Sequence, residues 1–91
     1  MAAYVIANIE VTDPQGYEAY KRLAGPAIEA AGGCYLARGG ASEVLEGQWR
    51  PNRMVVLEFE SVEKARAWWN STQYVEAKAI RQRTAISIVI I

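Results

Sequence analysis

The segment Arg53-Met54-Val55-Val56-Leu57-Glu58-Phe59-Glu60 (residues 53–60) decides the fold. Its β-branched and aromatic residues predict a strand, and apolar residues at alternate positions predict that one face of this strand is buried. Ser61 follows directly and is typical of a helix N-cap, and Glu63 lies in the first turn, where a negative charge is favourable. The inner side of this predicted helix carries Ala65, Trp68 and Trp69.

Three further strands are predicted outward from this segment. They comprise residues 4–11, residues 34–38 with a continuation over 42–46, and residues 86–91. Gly39-Gly40 is predicted as a bulge or bend between the two parts of the second strand, and residues 47–52 as a hairpin loop into the third.

Two more helical stretches are predicted between the strands. Asp13 is placed to cap the first, with Pro14 at its first position. Because an interior proline removes a helical hydrogen bond, Gly25-Pro26 predicts a kink or two short helices. After a break at Asn70-Ser71, Ser71 is placed to cap another helix that extends to about residue 83. The basic residues of its last turn are explained by compensation of the helix dipole. Tyr74, Lys78 and Arg81 also follow at helical spacing, on a solvated face or, alternatively, at the rim of the pocket.

The resulting order, β-α-β-β-α-β, indicates an α+β, ferredoxin-like domain over residues 1–91. In this arrangement two helices cover one face of a four-stranded antiparallel sheet. The second face of the sheet is left open.

Composition excludes several kinds of function. The 91 residues contain no histidine and one cysteine, so no Ser/His/Asp triad, imidazole metal site or four-cysteine zinc site is possible, and we expect no metal or cofactor. Ten basic residues balance ten acidic ones, which disfavours nucleic-acid binding. RNA-recognition modules share the element order, but the third strand lacks their aromatic residues and carries Glu58. The chain shows neither a signal peptide nor a membrane span, and we expect a cytoplasmic protein.

Alternation along the strands divides their side chains between two faces. The uniformly apolar set is expected to face the helices: Val5, Ala7, Ile9, Val11, Val55, Leu57, Phe59, Ile86, Ile88 and Ile90. The open face nevertheless keeps six large apolar side chains: Tyr4, Ile6, Met54, Val56, Val89 and Ile91. Leaving six such side chains in water would forfeit on the order of 10 kcal/mol, so we expect a homodimer that associates through this sheet face.

Polar residues within this open face are the candidate site. Glu58 and Asn8 lie there, and Arg38 joins them if Leu36 and Arg38 point the same way. One interpretation is an ion pair between Glu58 and Arg38 that fixes the register of a dimer. Another is a pocket in which both residues orient a ligand, and a one-residue slip in register would remove both possibilities. The candidate catalytic residues are Glu58, Arg38 and Tyr4, and the candidate ligand-binding residues are Asn8, Arg38, Trp49, Arg53 and Trp69.

Several short stretches together resemble the small bacterial proteins of domain of unknown function 1330, in the dimeric α/β-barrel superfamily. They are Tyr4-Val5-Ile6-Ala7, Tyr17-Glu18-Ala19-Tyr20, Tyr35-Leu36-Ala37-Arg38-Gly39-Gly40, Val44-Leu45-Glu46-Gly47, Arg50-Pro51-Asn52-Arg53, Leu57-Glu58-Phe59 and Ala67-Trp68-Trp69-Asn70-Ser71 followed by Tyr74. The resemblance implies a ferredoxin-like protomer whose sheet packs on that of a second protomer. Wider relatives include haem-degrading enzymes, but those that this shape resembles use a histidine ligand that this chain lacks. The chain also lacks the acidic residue often found before the last strand in the family.

Two functional hypotheses follow. In the first, the protein binds or transforms a small phenolic or anionic molecule in a cavity on the open sheet face, where Arg38 holds an oxygen and Glu58 or Tyr4 moves a proton. In the second, it is a structural dimerisation module without a ligand.

Overall fold

The computed structural model describes residues 1–91 as one four-stranded sheet with three helices. The elements are β1 (Ala3–Val11), α1 (Pro14–Ala30), β2 (Cys34–Arg38), β3 (Arg53–Phe59), α2 (Val62–Trp69), α3 (Thr72–Thr84) and β4 (Ala85–Ile90). The strands pair antiparallel in the order β2-β3-β1-β4. This confirms the predicted α+β, ferredoxin-like class, with the second helical stretch divided into α2 and α3.

Each helix begins at the capping residue that the sequence predicted. The Asp13 carboxylate accepts a hydrogen bond from the backbone N–H of Gly16 at 3.1 Å. The hydroxyl groups of Ser61 and Ser71 do the same for α2 and α3. These bonds satisfy N–H groups that a helix leaves free in its first turn.

Helix α1 is continuous through Pro26, so of the two predicted alternatives, a kink or two short helices, the division into two helices is wrong. Proline removes one hydrogen bond, that to the carbonyl of residue 22. Pro26 and Arg22 are both exposed. The missing hydrogen bond therefore lies on the solvent side of α1, where loss of a backbone partner costs least.

The segment between β2 and β3 contains no strand, so the predicted continuation over residues 42–46 is also wrong. Gly39 and Gly40 adopt φ angles of +74° and +93°, in the left-handed region that favours glycine, and they end β2. The N–H of Gly39 donates to the carbonyl of Met54 at 2.8 Å, which holds the start of the segment against β3. Residues 41–50 are exposed throughout.

The hydrophobic core lies between the helices and one face of the sheet. Its larger part joins β1 and β3 to all three helices, and is formed by Val5, Ala27, Ile28, Leu57, Phe59, Ala65, Trp68, Tyr74 and Ala77. A smaller part lies towards the other end of β1, and is formed by Ala7, Ile9, Tyr17 and Ala85. The predicted inward set of β1 and β3 is confirmed for the residues in these clusters.

Strand β4 is oriented opposite to the prediction. Ile86, Ile88 and Ile90 are exposed on the open face, and Val89 packs against the core. The register pairs Asn8 with Ile88, and directly paired residues share a face. The side of β4 that is buried is fixed where α3 continues into β4 without a loop. The carbonyl of Thr84 accepts hydrogen bonds from the backbone N–H groups of Thr12 and Asp13, and the next residue, Ala85, lies in the core.

The molecule is thin, with principal extents of 35 × 34 × 16 Å. One sheet and one layer of helices account for this thickness, and nothing covers the second face of the sheet. None of the helices has both the length and the apolar character needed to span a membrane.

Candidate functional site

A partly enclosed cavity of about 30 Å³ lies between the helices and the sheet, on the side opposite to the open face. A water molecule needs roughly 10–15 Å³ of such space, so the cavity holds about two or three waters or a few atoms of a ligand. This position differs from the sequence prediction, which placed the pocket on the open face.

The cavity wall is aromatic and aliphatic with a few cationic groups. The sheet contributes Val5, Ala7, Ile9, Tyr35, Arg38, Arg53, Val55, Leu57 and Val89. The helices contribute Tyr17, Tyr20, Lys21, Ile28, Trp68, Tyr74 and Arg81. Apart from hydrophobic and aromatic residues, the wall contains only arginine and lysine.

Three buried donors from residues of this wall have no hydrogen-bond partner. They are Nε of Arg53, Nη2 of Arg81 and Nε1 of Trp68. Buried polar groups in proteins are nearly always paired, and a buried donor left unpaired costs about 1–3 kcal/mol. All three can only donate, so an acceptor is the missing group.

Arg81 is the most deeply buried of the cationic residues, with 3% of its surface exposed. Its Nε donates to the hydroxyl of Tyr74 over 3.5 Å, and its guanidinium lies 5.6 Å from the ring centre of Trp69 and 6.0 Å from that of Tyr20. Neither of the two ion pairs of the protein, Lys21–Glu18 and Lys64–Glu60, involves Arg81. Arg81 is therefore a buried charge without a counter-ion in the chain.

Tyrosine hydroxyl groups form the uncharged polar part of the cavity wall on the helix side. The hydroxyl groups of Tyr20 and Tyr74 are 3.0 Å apart and hydrogen-bonded. Burial raises the pKa of Tyr20 far above 10, and the nearby Tyr74 reinforces the shift. Burial also raises the pKa of Tyr17, which the charges of Arg53 and Arg81 oppose only in part. These phenols are neutral at physiological pH and can donate hydrogen bonds.

The position of Arg53 depends on a glycine in the neighbouring strand connection. A Cβ at Gly39 would lie 2.5 Å from Nη1 of Arg53, well inside van der Waals contact. The glycine therefore leaves room for the guanidinium at the edge of the cavity.

Of the residues that the sequence singled out, Arg38 and Arg53 line the cavity. Arg38 is not beside Glu58, and the predicted ion pair between them is wrong. An irregularity in pairing between Tyr35 and Ala37 shifts the register of β2, so Arg38 pairs with Val55 on the helix side. Its guanidinium lies 4.5 Å from the ring centre of Tyr35.

The other two candidate catalytic residues lie on the open face. The register places Tyr4 directly opposite Glu58, so these two are neighbours. They are separated from Arg38 by the sheet itself. The structure therefore does not assemble Glu58, Arg38 and Tyr4 into one site.

Three candidate ligand-binding residues also lie away from the cavity. The Asn8 side-chain oxygen accepts a hydrogen bond from the backbone N–H of Asn52 at 2.8 Å, which anchors the start of β3. Trp49 is exposed in the segment between β2 and β3. Trp69 is not part of the cavity wall, but its ring lies beside Arg81 and contacts the ammonium group of Lys78 at 4.4 Å.

The most informative cavity residue, Arg81, was assigned from sequence to dipole compensation. The sequence offered only a weak signal: Tyr74, Ala77, Arg81 and Thr84 follow one another at helical spacing, and it is the structure that shows all four to be buried. An arginine within such a buried stripe needs a partner. The protein contains no group of His, Cys, Asp or Glu side chains able to hold a metal ion.

Comparison with known proteins places the chain in a family whose function is not known. Residues 2–91 match the family described as Domain of unknown function (DUF1330). The chain is similar to a protein of unknown function from Rhodopseudomonas palustris, at 23% identity and a TM-score of 0.78, over 98% of this chain and 78% of that one. The methylated form of that protein gives a TM-score of 0.75 at the same identity, over 98% and 77% of the two chains.

A third solved structure shares the fold at lower similarity. It is a protein from Nitrosomonas europaea provisionally described as an antibiotic biosynthesis monooxygenase, with 14% identity, a TM-score of 0.50, and coverage of 96% of this chain and 86% of that one. Identities this low support the shared fold and nothing further. None of the functionally curated proteins matches the sequence.

Proposed function

Because the chain belongs to the family Domain of unknown function (DUF1330), which supplies a fold without a reaction, we propose a function from the cavity: binding of a small organic molecule between the helices and the sheet. The observation that carries this proposal is the set of three unpartnered donors, Arg53 Nε, Arg81 Nη2 and Trp68 Nε1, in residues around one cavity. A ligand that accepts hydrogen bonds there would remove the cost of leaving them unpaired. Aromatic walls with a few polar groups are typical of small-molecule sites.

The arrangement favours binding over acid–base chemistry at this cavity. Its wall contains no carboxylate, and the pKa values of Tyr17 and Tyr20 are raised, so these phenols hold their protons at physiological pH. Glu58 and Tyr4, the proton-transfer candidates from the sequence, lie on the opposite side of the sheet. A reaction in this cavity would therefore rely on positioning and charge rather than on a general base of the protein.

The Trp68 indole gives a direct test of binding. In a ¹H–¹⁵N spectrum, the indole cross-peak of Trp68 should move downfield when a molecule in the cavity accepts its hydrogen bond. The cross-peak of exposed Trp49 should stay in place. A panel of small aromatic acids, phenols and amides serves as the probe set. The proposal fails if no member of the panel moves the Trp68 signal and none raises the melting temperature of the protein.

We also propose that the open sheet face is covered by a second copy of the chain. The face exposes Ile86, Ile88 and Ile90, and it also carries Tyr4 and Ile6. A folded monomer of this mass exposes roughly 5,300 Å² by the usual scaling with size, and this chain exposes 6050 Å². The excess of roughly 750 Å² approaches the 800 Å² or so that each partner contributes to a standard protein interface.

The pairing of two identical faces is the simplest solution, because an antiparallel sheet with one apolar open face is complementary to itself about a two-fold axis. Under this arrangement Glu58 and Tyr4 lie at or near the interface. The helix-side cavity stays accessible in each protomer.

A further inference from the structure

The cavity gathers positive charge in a protein with no net charge. Four of the ten basic residues, Lys21, Arg38, Arg53 and Arg81, line it, and none of the ten acidic residues does. Nine of the acidic residues are exposed, and the half-buried Glu58 lies on the opposite face of the sheet. Lys21 is paired with exposed Glu18 at 3.4 Å, whereas Arg38, Arg53 and Arg81 form no ion pair, so the neutral total conceals a local excess of positive charge at one small site.

Such an imbalance is costly in the free protein. An arginine cannot lose its proton at any physiological pH, so burial of Arg81 is not relieved by neutralisation. The aromatic faces of Trp69 and Tyr20, at 5.6 and 6.0 Å, offset part of the lost hydration. A bound anion would offset the rest, and would also accept the free hydrogen of Arg81 Nη2.

We propose, on the basis of the proposed function, that the ligand of this cavity is an organic carboxylate, with its two oxygens directed to Arg53 and Arg81 and its remaining atoms extending towards Lys21 and Arg38. The size of the cavity favours this anion: about 30 Å³ holds about two or three waters, two of which carboxylate oxygens can replace. A tetrahedral phosphate is larger. Arginine also matches a planar carboxylate with parallel hydrogen bonds.

The depth of the cationic residues indicates how the ligand lies. Arg81 is buried and Arg53 is half-buried, whereas Lys21 keeps part of its side chain in solvent and Arg38 is exposed. The carboxylate therefore enters first and the rest of the molecule occupies the opening. The ring of half-buried Tyr35 lies 4.5 Å from the guanidinium of exposed Arg38, and such a ring beside the opening suits a flat or unsaturated molecule.

Matched acid and amide pairs test the charge requirement. Benzoate against benzamide, and acetate against acetamide, are titrated at constant ionic strength while the indole cross-peak of Trp68 is followed. We expect each acid to bind at least tenfold more tightly than its amide. Arg81→Met should abolish this preference, and Arg83→Met, an exposed arginine of the same helical turn, should leave it unchanged.

Arg53→Met provides a second variant should Arg81→Met fail to fold, and it should reduce the acid preference by at least fivefold. Equal binding of acids and amides would overturn the carboxylate assignment while leaving the proposed function intact. Tighter binding of inorganic phosphate than of either acid would likewise overturn it. Absence of binding by all four probes and by the wider panel would overturn both proposals.

Discussion

Gly39 and Arg53 are in direct contact across the strand connection: a methyl group on Gly39 would lie 2.5 Å from Nη1 of the arginine. Gly40 also has a positive φ, but nothing lies within 4 Å of its Cβ position. Alanine substitutions at these two adjacent glycines therefore distinguish the effect of backbone strain, present at both, from the effect of displacing the Arg53 guanidinium, present only at Gly39.

We predict that Gly39→Ala and Gly40→Ala each lose about 1 kcal/mol through backbone strain at positive φ. Gly39→Ala should lose roughly 1 kcal/mol more, because overpacking forces Arg53 to move. Urea unfolding of both variants at one protein concentration measures the difference. Equal losses would show that the Arg53 side chain adjusts without cost.

Replacing the buried arginine should stabilise the free protein. Replacing a buried ion pair by well-packed apolar side chains of similar volume is often neutral or stabilising by about 1–4 kcal/mol, and Arg81 has no carboxylate partner that its removal would leave unpaired. We therefore expect Arg81→Met to unfold at higher urea concentration than the parent, and exposed Arg83→Met to stay within about 0.5 kcal/mol of it. A loss of stability in Arg81→Met would mean that Arg81 stabilises the folded chain without a ligand, contrary to this prediction.

A charge on the open face should separate the proposed dimer. Ile88 is 67% exposed on the open face, in the middle of edge strand β4, and pairs with Asn8 of β1. Sedimentation at micromolar concentration should show the parent as a dimer and Ile88→Lys as a folded monomer of about half the mass. Val75→Lys is the control, since Val75 is similarly exposed on α3. Monomeric behaviour of the parent itself would contradict the proposed interface.

Loss of the Asn8 side chain should loosen the start of β3. The hydrogen bond from the Asn52 N–H to the Asn8 oxygen is worth about 1 kcal/mol, and Asn8→Ala should lose that amount. Asn8→Ser keeps an uncharged acceptor on the same residue, without adding a charge opposite Ile88 on the open face, and should recover most of it. Protease cleavage within residues 41–50 gives a second measurement, and it should be faster in Asn8→Ala only.

Alkaline pH should unfold the protein through its buried phenols. The pKa values of Tyr17, Tyr20 and Tyr35 are raised above 10 in the folded chain, chiefly by burial. Between the unfolded and folded pKa values the unfolded chain has lost a proton that the folded chain keeps, so stability falls as pH rises. The stability that these phenols contribute is fully present below about pH 10. Above that pH, each phenol removes up to about 1.4 kcal/mol of stability per pH unit.

Urea unfolding at several pH values from 9 to 11.5 measures this slope. Tyr20→Phe should make the decline shallower by the contribution of one phenol. Absorbance at 295 nm should show these tyrosines ionising together with unfolding rather than before it. An unchanged slope in Tyr20→Phe would contradict the assigned burial effect.

The sequence was sufficient to predict the element order because its local signals agree with one another. Asp13, Ser61 and Ser71 mark the three helix starts, and the alternation in β1 and β3 assigns their faces. Strand β4 has no such signal, since Ser87 is its only polar residue, and its phase was fixed instead by the junction with α3 at Thr84. The sequence pattern therefore could not decide which side of β4 is buried.

The site was harder to predict because it depends on tertiary placement. One irregularity after Tyr35 moves Arg38 to the helix side of the sheet, and a one-residue shift of this kind leaves no reliable trace in composition. Arg81 has an ordinary explanation at a helix C-terminus, and only the packing of α3 shows that it is buried. Arg53 was identified as a candidate, although its contact with Gly39 was not.

Strand β4 has a consequence for the solution behaviour of the separated chain. It lies at an edge of the sheet, contains no proline and no charge, and consists of Ala85, Ser87 and four Ile or Val residues. Edges of this kind are templates for intermolecular β-pairing and aggregation. A chain prevented from covering its sheet face would present both an apolar surface and this unprotected edge, so solubility would depend on how quickly two copies meet after synthesis.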